Sequence, residues 1–415
     1  MPSRRRCRSF SEPSRDFSWR YRFRNNDVSH QSSTIKHHPL AIYVHTPFCP
    51  SKCGYCDFNS YAMRGEIMER TTRAIVTEIE RSPWRGRPAK TIFFGGGTPT
   101  FLEEGQLLRI FEAVVDAHPP IDGCEITSES NPGTADAAKY KSMRRAGFNR
   151  LSLGAQSFLD EDLIRLERVH KASEIGRAVE LARDAGFDNL NLDLMFALPH
   201  QTMAGWRRNL DRALELRPEH LSLYCLTIEP NTSFYKRHLR GQLHMPDDDA
   251  QVAMYDECFD RLGLEGYGQY EISNFARPNR ECRHNLCYWH GEEYAGYGPG
   301  AVGCGMAVPA MSSTGVPPVS IRFTNIKHPE RYCAAVEAGE PLAFESEALD
   351  EATSRTERIM LGLRLNAGLS LQGLDLDPKS LDRVESRGWI ERDNGTIRLT
   401  RAGRHFCSEV ALELI

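Results

Sequence analysis

The sequence of 415 residues has no apolar run approaching the roughly 18 residues that a membrane-spanning helix needs. It also has no apolar segment of the secretory type near its start, and its twelve cysteines are dispersed rather than arranged as a disulfide framework. These absences predict a protein of the reducing cytoplasm without an integral membrane segment. Excess positive charge is missing too: residues 40–415 carry a net formal charge of −10, which argues against a nucleic-acid partner.

Residues 1–39 differ from the rest of the chain. They contain nine Lys or Arg and three Asp or Glu, with no hydrophobic periodicity. This composition predicts a disordered basic tail. It partly resembles an organellar transit peptide, and an upstream start that adds nothing to the function explains it equally well.

Three of the cysteines stand close together, because Cys49, Cys53 and Cys56 have the spacing C-x3-C-x2-C. Thiolates are soft ligands that select iron–sulfur clusters, zinc or Cu(I). Phe58 stands two residues past the last of them, so no fourth cysteine closes the set of four protein ligands that structural zinc prefers. The spacing predicts a 4Fe–4S cluster with one iron open to another ligand. Zinc with His45 as its fourth ligand, or three unrelated thiols, are the alternatives.

From residue 40 onward, short β-rich runs alternate with longer amphipathic stretches. Strands are predicted at 41–45, 91–94, 125–128, 150–153, 189–195, 220–226 and 267–272. Helices are predicted between most of them, at 66–81, 103–117, 135–145, 173–185 and 206–216. Alternation of this kind implies a parallel sheet, and six or seven such units predict an α/β fold with a partial (β/α) barrel.

Chemically unusual residues follow the predicted strands at their carboxyl ends. The cysteine loop follows the first strand, Gly-Gly-Gly-Thr-Pro at 95–99 the second, Glu129 the third and Gln156 the fourth, while Asp193 lies in the fifth. Barrel enzymes build their sites at this edge, so the sequence predicts one composite site around the cysteines. The glycines let the backbone approach a ligand closely, although a tight turn would use them equally well.

Two later segments carry further signals. His-Asn-Leu-Cys-Tyr-Trp at 284–289 offers side chains that can ligate haem iron. On composition alone, a structural histidine beside core aromatics explains the segment better, and a metal site using Cys282 and Cys287 is a weaker option.

Residues 301–344 read as a connecting segment with a Pro/Ser-rich insertion at 307–319. Residues 345–415 predict a small winged-helix-like α+β domain, whose thirteen acidic and ten basic residues favour a docking or lid role.

Several motifs, taken in order, resemble the coproporphyrinogen-dehydrogenase-like branch of the radical S-adenosylmethionine (SAM) proteins. They are Tyr-x-His-x-Pro-Phe-Cys at 43–49, Cys-Gly-Tyr-Cys-Asp-Phe at 53–58, Gly-Gly-Gly-Thr-Pro-Thr at 95–100, Asn-Leu-Asp-Leu-Met-Phe-Ala-Leu-Pro at 191–199 and Glu-Ile-Ser-Asn-Phe-Ala at 271–276. The resemblance is strong over residues 40–300 and loose over 345–415. It implies a radical SAM barrel that includes the segment at 284–289.

Within this branch, the oxygen-independent coproporphyrinogen III oxidases of haem synthesis carry a further cysteine at the position of Phe58. The haem chaperones of the HemW type have Asp-Phe there, together with a His-Asn-x-x-Tyr-Trp motif that residues 284–289 match. The resemblance therefore implies a chaperone that transfers haem to an acceptor apoprotein. The oxidase is the alternative, and a radical SAM enzyme acting on RNA is a third possibility that the charge balance disfavours.

The resemblance also implies roles for individual residues. The three cysteines would hold the cluster, and haem would be bound through His284, Tyr288 and Trp289. The residues implied to bind SAM are Tyr43, Gly96, Gly97, Thr98, Glu129, Gln156, Arg168 and Asp193, with Tyr55 flanking the site. If SAM is cleaved, an external electron donor is required. Ala197 stands where relatives often have glycine.

Overall fold

The computed structural model describes residues 38–134, 136–306 and 320–415. The insertion at 307–319 lies outside these residues, as does the predicted disordered tail except for its last two positions. No helix in the described ranges combines the length and apolar character that a membrane crossing requires.

The largest element of the fold is a sheet of twelve strands. The strands are β1 Leu40–Thr46, β2 Ala89–Gly96, β3 Pro120–Ser130, β4 Arg150–Gln156, β5 Leu190–Phe196, β6 His220–Cys225, β7 Gly268–Glu271, β8 Asn274–Ala276, β9 Tyr294–Tyr297, β10 Val302–Met306, β11 Ser320–Asn325 and β12 Ala343–Leu349. Their order in the sheet is β12-β11-β10-β9-β1-β2-β3-β4-β5-β6-β8-β7.

The strands β1 to β6 are parallel and adjacent in chain order, which confirms the partial (β/α) barrel. The seventh predicted strand behaves differently, because β7 forms an antiparallel hairpin with β8 and it is β8 that pairs with β6. A parallel neighbour would need a long crossover, which the short connection from β7 to β8 does not provide. On the other side, β9 adds to β1 in parallel.

The helices of this part of the chain pack mostly on the outer face of the sheet, and one of them lies inside the barrel. They are α1 Glu66–Glu80, α2 Glu104–Ala117, α3 Ala137–Ala146, α4 Asp160–Arg165, α5 Ala172–Asp184, α6 Met203–Glu215, α7 Ser233–Leu239, α8 Asp248–Leu264, α9 Arg283–Trp289 and α10 Pro329–Ala338, with a 3-10 turn at Pro99–Phe101. Strand residues such as Ile42 and Leu192 are buried in the main core. Because side chains alternate along a strand, the neighbours Tyr43 and Asp193 face the barrel interior, which is polar.

The C-terminal part forms a small domain with its own core. Its elements are α11 Glu351–Arg364, β13 Leu369–Ser370, α12 Pro378–Ser386, β14 Ile390–Asp393, β15 Thr396–Leu399, α13 Arg401–Arg404 and α14 Cys407–Leu414. The three strands make an antiparallel sheet in the order β13-β15-β14, an arrangement of the winged-helix type. Asn394 and Gly395 have φ of 45° and 77°, the backbone that an Asn-Gly hairpin turn requires. The preceding β12 belongs to the large sheet and runs through position 345.

Candidate cluster and cofactor site

The carboxyl ends of the parallel strands surround a cavity of about 440 Å³. The predicted site residues that line it are Cys49, Cys53, Tyr55, Cys56, Gly96, Gly97, Thr98, Glu129, Gln156, Arg168 and Asp193. The structure therefore brings together the composite site expected from the strand ends. Tyr43 and the segment at 284–289 do not line this cavity and lie beneath it.

The cysteine loop is fixed by its own backbone. Cys49 N–H donates to the Tyr61 carbonyl at 3.1 Å, and Cys56 N–H donates to the Cys53 carbonyl at 3.2 Å. Burial raises the pKa of the Cys49 and Cys56 thiols. Arg168 Nη1 donates to Cys53 Sγ at 3.6 Å, the kind of hydrogen bond that tunes a cluster. Three soft donors that share one cavity with an arginine fit an iron–sulfur cluster.

His45, the fourth ligand that the zinc alternative required, is occupied by other partners. Its Nδ1 lies 2.9 Å from the Tyr43 hydroxyl, and its Nε2 lies 2.8 Å from the Asn59 carbonyl. Burial lowers its pKa to about 4. In the described ranges, no three His, Cys, Asp or Glu side chains group closely enough to hold a single metal ion. A cluster, in which each thiolate binds a different iron, does not need that convergence.

Arg168 lies against the wall of the cavity beside the cysteine loop. Its Nη2 donates to Asn131 Oδ1 at 2.5 Å and to the Gly154 carbonyl at 2.8 Å. Its Nε is buried and has no hydrogen-bond partner among the described residues. An arginine with a free buried donor fits a carboxylate ligand, and SAM carries a carboxylate.

Two buried carboxyl groups face the same cavity. Asp193 accepts hydrogen bonds from Ser152 Oγ at 3.0 Å and from Asn191 Nδ2 at 2.7 Å. Glu129 accepts one from the Gly96 N–H at 3.2 Å, and burial together with nearby Asp193 raises its pKa to about 8. A positively charged ligand would stabilise both ionised forms, which fits the ammonium group of SAM.

The glycines of the loop after β2 are needed for contact between protein segments. Gly96 has φ of 103°, and a Cβ there would lie 2.4 Å from His45 Cε1. A Cβ on Gly97 would lie 2.6 Å from the Phe48 carbonyl oxygen. The loop thus packs directly on the end of β1 and on the cysteine loop. A tight turn is therefore sufficient to explain the glycines, even though both of them line the cavity.

The helix α9, which carries the predicted haem segment, lies inside the barrel near the amino ends of the strands. His284 Nδ1 lies 2.9 Å from Thr91 Oγ1, and Nε2 lies 2.9 Å from the Tyr288 hydroxyl. Burial lowers the pKa of His284 to about 3, so the ring is neutral. The Phe93 ring stacks 5.1 Å from this imidazole, and the Tyr43 ring lies 6.4 Å from it.

Two residues that sequence reasoning missed hold α9 in place. Glu125 accepts the backbone N–H groups of Arg283 at 3.1 Å and His284 at 3.0 Å. Arg364, from α11, lies 4.6 Å over the Trp289 ring. Glu125 begins the predicted strand 125–128, whose other residues are uncharged, and a charged side chain in that strand is the signal that would have found it. No local pattern points to Arg364, since its partner lies far away in the sequence.

Comparisons with known proteins agree with this geometry. The radical SAM superfamily model matches residues 43–213, and the HemN C-terminal domain model matches residues 349–406. The heme chaperone HemW of Bacillus subtilis is 37% identical over 383 residues, which cover 89% of this chain and 97% of that protein. The chain belongs to the HemW family. HemW of Escherichia coli is 42% identical over 272 residues, covering 65% of this chain and 71% of that protein.

Among solved structures, coproporphyrinogen III oxidase (HemN) from Escherichia coli, a radical SAM enzyme, has a TM-score of 0.75 at 24% identity, covering 90% of this chain and 89% of that one. This HemW-family chain therefore shares the fold of that protein. Membership of the radical SAM superfamily implies a 4Fe–4S cluster and SAM, and the donors in the cavity suit both.

Proposed function

We propose that this protein is a haem chaperone, which binds haem at α9 and transfers it to an acceptor apoprotein. The observation that carries the proposal is its HemW-family membership over almost the full length of a relative, with the His-Asn-x-x-Tyr-Trp pattern intact at 284–289. Its dispersed free thiols support a cytosolic location. No nucleic-acid partner is proposed, because the chain from residue 40 onward is acidic.

The cavity is assigned to a 4Fe–4S cluster on Cys49, Cys53 and Cys56, with SAM beside it. Arg168 would bind the SAM carboxylate, and Glu129 and Asp193 would take its ammonium and hydroxyl groups. The remaining residues assigned to SAM are Gly96, Gly97, Thr98 and Gln156, with Tyr55 at the flank. Tyr43, which lies beneath the cavity, is assigned to SAM from the family resemblance alone. A bound cluster would supply one-electron chemistry if an external donor reduces it. The proposed chaperone function does not require cleavage of SAM.

His284 is the proposed iron ligand, and its surroundings support that role. When Nδ1 carries the proton and donates it in a hydrogen bond to the Thr91 hydroxyl, the lone pair lies on Nε2. That nitrogen now accepts from the Tyr288 hydroxyl, so rotation of Tyr288 frees it for iron. The hydrogen bond that Nδ1–H donates to the Thr91 hydroxyl would then orient the ring. Tyr288 and Trp289 supply aromatic faces for the porphyrin.

Oxidation of coproporphyrinogen III is the alternative function. Position 58 counts against it, because Phe58 has no thiol and is 65% exposed at the edge of the cavity. Likeness to HemN is a likeness of fold, and no other feature of the described chain favours the oxidase.

The test is an anaerobic haem titration of the cluster-reconstituted protein. One haem per chain with a Soret band is expected, and His284→Ala should shift the band or reduce occupancy without changing cluster absorbance. His220→Ala is the matched control, because His220 is a fully buried histidine of the barrel interior with hydrogen bonds to Asn191 and Tyr270. Release of CO2 from coproporphyrinogen III with SAM consumption, and no haem band, would establish the oxidase instead.

A further inference from the structure

The proposed haem segment is partly exposed, but the side chain of His284 within it is enclosed. Phe93 and Tyr43 lie above the His284 ring, towards the cluster cavity. Beneath α9, the Arg364 guanidinium covers the Trp289 ring. His284 is 1% exposed. Haem therefore cannot reach this histidine unless one of the covering elements moves.

A covering element with a core of its own is the C-terminal domain. Its core is separate from the barrel core, and Ile272 is a barrel residue that packs against it. The other contacts across the junction are mainly polar: Arg364–Glu271 at 3.5 Å, Arg401–Asp260 at 2.8 Å, His405–Asp256 at 3.3 Å, Arg404–Gln269 at 2.6 Å and Arg322–Glu357 at 2.6 Å. Ring and backbone contacts add to them, since the His405 ring lies 5.5 Å from the Tyr255 ring and the Asn366 N–H donates to the Tyr270 carbonyl at 2.8 Å. Polar junctions between separate cores permit relative motion of domains.

The closed junction also leaves polar atoms without partners. Three buried atoms there make no hydrogen bond to any described residue: Trp289 Nε1, Arg364 Nε and Asn274 Oδ1. Glu271 Oε2 has only its ion pair with Arg364 at 3.5 Å. A buried polar atom normally has a hydrogen-bond partner, and leaving it unpaired costs free energy. Opening the junction would expose these atoms to water or to a ligand, so the closed state gains less from its contacts than a fully paired interface would.

We infer that haem binds between α9 and the C-terminal domain, in a site that opens when this domain moves off the base of the barrel. We also infer that Arg364 acts as the latch, by which we mean the residue that holds this site closed. The inference rests on the proposed haem chaperone function. Arg364 is the residue that joins the two sides most directly, since one guanidinium both covers Trp289 and pairs with Glu271. Movement of the domain exposes the face of α9 that carries Trp289, and rotation of Tyr288 then opens the way to His284.

Stopped-flow haem binding to the full-length, cluster-reconstituted protein tests the latch. Arg364→Ala should raise the haem association rate about tenfold, and Arg364→Lys should give an intermediate rate because it keeps the charge but loses the planar fork. Arg355→Ala is the matched control on the same helix, since Arg355 donates to carbonyls of Asp375 and Ile415 within its own domain.

Hydrogen exchange of the peptide that contains α9 gives a second readout without haem. Faster exchange in Arg364→Ala than in Arg355→Ala supports opening at this junction. Equal haem association rates for the Arg364→Ala and Arg355→Ala proteins would show that Arg364 does not hold the site closed. In that case, haem binding that depends on His284 would still support the proposed function. If the wild-type protein binds no haem, the proposed function fails and this inference fails with it. Cluster content and SAM affinity equal to wild type show that the barrel of each variant is folded, and unchanged fluorescence of Trp389, whose ring stacks on Phe406, shows that its C-terminal domain is folded. If Arg364→Ala does not fold, Arg364→Lys is compared with Arg355→Ala in its place.

Discussion

At the scale of single residues, Glu129 is the most informative group in the cavity. Burial and the neighbouring Asp193 raise its pKa to about 8, so at pH 7 the carboxyl group is mostly protonated when no cation is bound. A bound ammonium group favours the ionised form and lowers this pKa. SAM binding at pH 7 is therefore expected to release a proton from Glu129.

Calorimetric titration with SAM in buffers of different ionisation enthalpy would measure this proton. We expect release approaching one proton per SAM at pH 7, and SAM affinity that increases between pH 6 and pH 7.5 as the carboxyl group becomes easier to ionise. Glu129→Gln should abolish the Glu129-linked release and weaken binding roughly ten- to a hundredfold, as loss of a charged hydrogen bond does. The assignment is wrong if the Gln variant releases as many protons as the wild type.

The three loop cysteines support a second prediction. Replacement of Cys49, Cys53 or Cys56 by Ala should abolish the oxygen-sensitive iron–sulfur absorbance, because two thiolates hold a 4Fe–4S cluster poorly. Cys124→Ala is the control, since Cys124 is buried in the main core away from the cavity and should leave iron content unchanged. Metal analysis that finds zinc in place of about four irons per chain contradicts the assignment.

Individual residues also show where reasoning from sequence stops. Cys-x3-Cys-x2-Cys spacing was enough to place three thiols at one cavity, because the loop that carries them is short. From the sequence, Ala197 could be noted only as an alanine where relatives often have glycine. The structure explains that preference, because the φ of Ala197 is 56°, a left-handed backbone conformation that favours glycine. The partner of Trp289 could not be found in the same way, since Arg364 lies in another domain.

At the scale of elements, the parallel strands were predictable because each βα unit carries a local pattern of its own. The direction of β7 could not be predicted, because its pairing with β8 depends on a tertiary neighbour and not on periodicity. The position of α9 inside the barrel could not be predicted from the sequence either. The same seven residues could cover a surface groove or fill a barrel, and only the contacts with Glu125 and Thr91 distinguish these two positions.

The loop after β2 gives a prediction at this scale. Gly97→Ala would place a Cβ within 2.6 Å of the Phe48 carbonyl oxygen, so the loop after β2 and the cysteine loop would have to separate. We expect a loss of about 1–3 kcal/mol in the free energy of unfolding, together with reduced cluster occupancy. Gly105→Ala is the matched control in α2, where a Cβ would meet no atom within 4 Å, and it should gain up to about 1 kcal/mol. Denaturant titration of both variants measures the difference, and an unchanged Gly97→Ala protein would contradict the close-packing explanation.

At the scale of the whole molecule, the described residues form three hydrophobic cores, and the largest of them is joined to the core of the C-terminal domain mainly through polar contacts. The main core spans the sheet and its covering helices, whereas the small core is built from residues of the C-terminal domain such as Ile359, Val384 and Ile397. Small cores are marginally stable on their own. Unequal cores with a polar junction imply that the two parts unfold separately.

Denaturant titration of the reconstituted protein should therefore show two transitions, the first confined to the C-terminal domain. Trp389 reports on that domain, because its ring stacks 4.6 Å from Phe406, while Trp206 is fully buried in the main core. We expect the first change in tryptophan fluorescence to become smaller in Trp389→Phe, with the remainder coming from Trp289 beneath Arg364, and we expect cluster absorbance to survive this transition. Added salt should shift this first transition to lower denaturant, since ion pairs such as Arg401–Asp260 are exposed and screened. A single transition, with fluorescence and cluster loss coincident at every salt concentration, would show that the domain is held by more than these polar contacts, and would also count against its movement as the route to α9.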